Sequence, residues 1–110
     1  MANFLLSFEI SPHSEVENFV AAARRRGWAP WIASTKGIKY MVPERSLVGD
    51  FPGILEAEES LKASAAAARR NAEDDMELIK FVIVQFDVSR FSSDRRRHPT
   101  VKADAATAQE

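Results

Sequence analysis

Residues 4–10 read Phe-Leu-Leu-Ser-Phe-Glu-Ile, FLLSFEI. Side chains alternate across a strand, so Phe4, Leu6, Phe8 and Ile10 share one face. Leu5, Ser7 and Glu9 share the other. One face is wholly apolar and the other carries a hydroxyl and a carboxylate. A half-buried strand is the reading, and its polar face poses the functional question. Glu9 is either a solvated carboxylate at a strand end or the acid of a site.

The next stretch, SPHSEVENFVAAARRRGW, changes period. Ser14 and Glu17 have capping-box spacing. Val16, Phe19, Val20 and Ala23 fall at i, i+3, i+4 and i+7, one helical stripe. Arg24, Arg25 and Arg26 suit the negative end of a helix dipole, and Gly27 suits the left-handed residue that closes a helix. The pattern predicts a helix over 14–26. Trp28 and Trp31 flank Pro30 and are expected to plug one end of the core.

The segment 30–42 is rich in strand formers and predicts one strand, bulged near Lys36-Gly37. A turn at 43–46 and a strand at 46–51 follow. After Pro52-Gly53, alanine, glutamate and leucine predict a second helix, with Ile54, Leu61, Ala65 and Ala68 on its buried stripe. Alanine there implies close approach to a neighbour. The run ELIKFVIVQFDV, 77–88, is apolar on both faces: Ile79, Phe81 and Ile83 on one, Val82, Val84, Phe86 and Val88 on the other. Beyond Phe91 the composition turns polar and basic. The expected organisation is one domain over 1–91 and a flexible basic and polar tail over 92–110.

Strand, helix, strand, strand, helix, strand is the order of a split βαβ unit. It predicts an α+β, ferredoxin-like βαββαβ sandwich, with two helices on one face of a four-stranded antiparallel sheet. The other face is then open, with Ser7 and Glu9 beside Val82, Val84, Phe86 and Val88. An exposed apolar set of that size is an interface signal, so a homodimer packed by sheet face or sheet edge is expected.

Composition narrows the chemistry. The chain has 110 residues, no cysteine, two histidines and a formal net charge of -1. Thiolate metal sites, disulfides and a cysteine nucleophile are excluded. No serine lies in a nucleophile-elbow motif, and the glycines lack phosphate-loop spacing. The apolar run at the N-terminus is too short for a signal peptide or a membrane span, so a cytoplasmic protein without a membrane partner is expected. Glu9, Asp50 and Asp87 sit near strand ends, and carboxylates suit magnesium or manganese. No ligand motif joins them, so no metal ligand is assigned and no cofactor is expected. Arg24, Arg25 and Arg26, with Arg69 and Arg70, could form a phosphate-contacting strip if the helices lie side by side. Arg95, Arg96, Arg97 and Lys102 could add a basic arm. His13 and His98 have no evident catalytic partner.

Leu6-Ser7-Phe8-Glu9, within LLSFEISP, resembles the opening strand of a group of small ferredoxin-like proteins. These are the CRISPR-adaptation nuclease subunit, GhoS-type antitoxins and VapD-type ribonucleases. The segment VPERSLVGDF, succeeded by a helix, resembles the third strand of that group. The resemblance covers residues 3–88 as an order of elements. It implies either a small regulatory protein of toxin–antitoxin or defence type, acting by protein contact, or a metal-dependent ribonuclease. In the nuclease relatives the strand-end acid is aspartate; the matching position here is Glu9, which keeps the charge and lengthens the reach. Three function classes are implied. They are an interaction protein using Val82, Val84, Phe86 and Val88, a ribonuclease using Glu9 as catalytic group with magnesium or manganese, and a nucleic-acid-binding module using the helix arginines. The first asks least of the residues and is the expected one.

Overall fold

A computed structural model describes residues 1–97. Strand β1 runs Ala2–Ser11. Its even positions Phe4, Leu6, Phe8 and Ile10 are buried, as the alternation requires, while Ser7 is exposed and Glu9 half-exposed. A short 3-10 turn, His13–Glu15, leads into helix α1, Val16–Arg24. The helix starts two residues later than the capping-box spacing predicts, and no side chain caps it. Glu15, the residue at that boundary, turns into the protein instead and is buried. Gly27 closes the helix region with a φ of +103°, a conformation that costs glycine little.

The structure corrects the expected ferredoxin-like sandwich with its single four-stranded sheet. Among the described residues seven strands form two antiparallel sheets, one of four strands and one of three. The segment 30–42 is not one bulged strand. Trp28–Ala29 form β2, Trp31–Ala33 form β3 and Lys39–Met41 form β4. Pro30 separates β2 from β3, and proline has no amide with which to continue a ladder. The supposed bulge is a chain reversal. Gly37 takes a φ of +84°. Its amide donates to Ser34 O (3.0 Å), and the Ser34 amide donates to Ile38 O (2.8 Å). The Ser34 hydroxyl accepts from the Ile38 amide at 3.2 Å. The hairpin leaves the larger sheet and founds the second one. The larger sheet has the order β2-β5-β1-β6, with β5 at Ser46–Phe51 and β6 at Glu77–Phe86. The smaller has the order β3-β4-β7. Strand β7 is Arg96–Arg97, within the stretch expected to be a tail. The rest of that stretch, with His98 and Lys102, lies outside the described residues.

Helix α2, Ile54–Asn71, buries Ala57, Leu61, Ser64, Ala65, Ala67 and Ala68. Its first residue, Ile54, is 45% exposed rather than part of the buried stripe. The two helices run antiparallel. The Asn18 side chain, at the start of α1, donates to Ala68 O near the end of α2 (2.8 Å), and the Ser60 hydroxyl donates to Arg26 O at the other end (2.7 Å). Small residues on α2 let α1 approach closely, which is why alanine dominates there. Both helices cover the face of the larger sheet that carries Phe4, Leu6, Phe8, Leu47 and Phe51. Trp28 is buried and packs on the Phe51 ring at 4.8 Å between centroids, so it does plug the core. Trp31 does not; it belongs to the second sheet.

Candidate functional site

Among the described residues strand β6 lies at the edge of the larger sheet, paired with β1 on one side only. Its register sets Leu5 opposite Val84, Ser7 opposite Val82 and Glu9 opposite Lys80. Those residues share the face turned away from the helices. A register shift between Glu9 and Ile10 puts Ile10 opposite Leu78 and leaves Ile79 out of the pattern. Ile79 is therefore 48% exposed, although the alternation groups it with Phe81 and Ile83.

The hydrogen-bond polarity of β6 is set by one contact. The Phe8 amide donates to Arg45 O, toward β5, at 3.0 Å. Successive residues of an antiparallel strand turn their amides to opposite sides. Even residues of β1 therefore bond β5, and Ser7, Leu5 and Asn3 bond β6. Their partners Val82, Val84 and Phe86 spend their amides inward. Phe81, Ile83 and Gln85 turn theirs to the outer edge, where no strand pairs with them among the described residues.

The four residues expected at the interface run from an exposed row into a groove, and Val84 belongs to both. Val82 and Val84 form an exposed row, 60% and 45% accessible. Phe86 is half-buried, and Val88 lies past the end of the strand, exposed. Val84, Phe86 and Val88 border a groove of about 420 Å³ between the two sheets, with Leu5, Ile32, Tyr40 and Phe91. The Tyr40 and Phe91 rings pack there at 5.2 Å. The second sheet thus covers one end of the face that the sequence leaves open.

Glu9 sits at the other end, midway between two cations. Its carboxylate oxygens lie 3.6 Å from Lys80 Nζ and 3.9 Å from Arg45 Nη1. Asp50 pairs with Asn3, at the opposite end of β1, and Asp87 comes directly after Phe86, which also pairs with Asn3. The three strand-end acids do not converge. Among the described residues no three His, Cys, Asp or Glu side chains are placed to hold a metal ion together. His13 pairs with Glu44 at 3.1 Å on the surface.

The arginine strip is divided by the antiparallel helices. Arg24, Arg25 and Arg26 end α1, beside the start of α2, and Arg69 and Arg70 stand at the far end of α2. Two of the five serve their own neighbourhood. Arg26 Nη1 donates to Ala22 O (2.9 Å) and Arg69 Nε donates to Met76 O (3.3 Å). Arg24 lines a wide groove together with Glu17, Glu44 and Asp94, a mixed rather than a basic surface.

One residue that sequence reasoning missed is Glu15, only 5% exposed. Its Oε2 accepts the Glu73 and Asp74 amides at 3.2 Å each, and its Oε1 accepts from Asn18 Nδ2 at 2.9 Å. The carboxylate therefore ties the loop after α2 to the start of α1. Its partners lie 58 and 59 residues away in sequence, so no local signal marks it.

No helix among the described residues is long and apolar enough to cross a membrane. No family model, curated protein or solved structure matches this chain.

Proposed function

We propose that this protein is a self-associating interaction module that joins a second copy of itself through β6. The observation that carries the reading is the coincidence, on one ten-residue edge strand, of unpaired outward amides and an exposed valine row. Long edges of this kind template further strand pairing unless something blunts them. On this strand one lysine, Lys80, stands at one end of the row, and the outer edge at Phe81, Ile83 and Gln85 carries no charge.

A two-fold ladder centred on Ile83 sets residue 81 opposite residue 85 of the second copy and Val82 opposite its Val84. The larger sheet becomes continuous across both copies, with one apolar strip along it. Such a ladder exchanges about six backbone hydrogen bonds, each worth about 0.5–1.5 kcal/mol net. Completing the burial of four half-exposed valines adds about 4 kcal/mol. Association itself costs about 4–15 kcal/mol. The gains and the cost are of the same size, so the dimer is expected to be weak and is sought over a wide range of concentrations.

Light scattering and sedimentation from 1 to 500 µM are expected to show a monomer–dimer equilibrium. Gln85→Pro removes an outward amide without removing a bond to β1, and Val84→Asp charges the strip. Both variants are expected to remain folded by circular dichroism and to shift the equilibrium at least tenfold toward monomer. A wild-type monomer throughout, or dimers indifferent to both substitutions, would overturn the reading.

A further inference from the structure

The second sheet gathers charge that the sequence scatters. Residues 28–43 contain Lys36 and Lys39 and no carboxylate. Residues 87–97 contain Arg90, Arg95, Arg96 and Arg97 against Asp87 and Asp94. These two segments build the small sheet and the chain that returns to it, so six cations stand there against two carboxylates. The whole chain, by contrast, has a net charge of -1.

The register decides which cations meet. Lys39 pairs with Ala33 on one side and with Arg97 on the other, so the three share one face. Trp31 and Met41, the next pair along, lie on that same face. Lys39 and Arg97 are exposed, and Trp31 is partly exposed. The Arg97 guanidinium lies over the Trp31 ring, 5.0 Å from its centroid. Among the described residues no carboxylate forms an ion pair with Lys39 or Arg97. Lys36, in the hairpin turn, extends the positive edge.

Exposed cations beside an accessible indole and an arginine plane suit a ligand that alternates phosphate with a flat ring. We infer that this face binds single-stranded nucleic acid, with Lys39, Arg97 and Lys36 on phosphates and a base stacked against Trp31 and the Arg97 plane that lies over it. The inference is independent of self-association, because β6 takes no part in it. It also differs from a strip on the helices: the strand pairing assembles this site, and the helix arginines stand apart from it. A double helix is disfavoured, since its bases are already stacked on one another and turn no face to an indole. An acidic membrane surface would also engage cations and an indole, so vesicles are a competitor in the test.

The test is fluorescence anisotropy of the full chain with a labelled twelve-nucleotide oligouridylate, repeated with oligothymidylate and with a duplex of the same length. With about three phosphate contacts, the affinity for single strands should fall roughly twenty-fold between 50 and 200 mM salt. Binding should quench tryptophan emission, and the signal should persist in Trp28→Phe, which leaves Trp31 alone to report. Lys39→Gln with Arg97→Gln should weaken binding at least tenfold and flatten the salt dependence. Arg70→Gln, at the far end of α2, should leave affinity unchanged. The inference falls if no binding is found at 50 mM salt, or if the duplex or phosphatidylserine vesicles bind as tightly as the single strand. It falls equally if binding occurs without quenching, or if Arg70→Gln weakens it as much as the sheet variants do.

Discussion

Glu15→Ala offers the sharpest test of how the loop after α2 is held to the start of α1. The carboxylate takes three hydrogen bonds, from Asn18 Nδ2 and from the Glu73 and Asp74 amides. Truncation removes all of them, with different consequences for each donor. Asn18 keeps its bond to Ala68 O, so its loss is about 1 kcal/mol. Residues 73 and 74 are exposed, so water can reach their amides. Each of these two then costs near the lower end of the range of about 1–3 kcal/mol for an orphaned donor. Release of a buried charge to solvent returns part of the sum. The expected destabilisation is about 2–3 kcal/mol, or a fall of about 10–20 °C in Tm for a domain of this size. Urea unfolding measured by circular dichroism reads it. Glu17→Ala, which removes an exposed carboxylate two residues further on, is the control and is expected within about 0.5 kcal/mol of wild type. Glu15→Gln retains one acceptor oxygen and should fall between the two. Should Glu15→Ala match Glu17→Ala, the clamp contributes nothing to stability and the reasoning fails.

Two further outcomes are expected. Gly49→Ala would place a Cβ 2.8 Å from the Trp28 ring and 3.1 Å from Gly27 O, against the Phe51 ring as well, where nothing can move cheaply. Overpacking should outweigh the usual gain from replacing glycine and cost about 1–3 kcal/mol in thermal unfolding; an unchanged or raised Tm would contradict the packing described. Glu9→Gln breaks two long ion pairs between side chains that are 44–75% exposed, so stability should change by less than about 1 kcal/mol, and a loss above about 2 kcal/mol in urea unfolding would show that Glu9 holds more than Lys80 and Arg45.

Much of this molecule is legible in its residues. Alternation in FLLSFEI specifies which face of β1 is buried, because a strand has only two faces and one of them is apolar throughout. The alanine-rich segment forms its helix between Gly53 and Ala72, close to where propensity places it. The outward position of Ser7, Glu9, Val82 and Val84 comes from the same period of two. These are local rules, and a short window of sequence contains everything they need.

Tertiary structure decided everything that depends on a distant partner. Residues 30–42 have the composition of a strand, and composition does not say with what the strand pairs. Pro30 and Gly37 turn the segment into a hairpin, and Arg96–Arg97 then supply a third strand from the far side of the chain. That pairing brings Arg97 to Lys39 and Trp31. The antiparallel helices, by contrast, separate arginines that looked adjacent in kind. Glu15 has the spacing of an exposed helix-start residue, yet two amides of a loop that comes after α2 draw it inside. Periodicity reports which side of an element is apolar; it carries no information about which donor, cation or edge will meet that side across the fold.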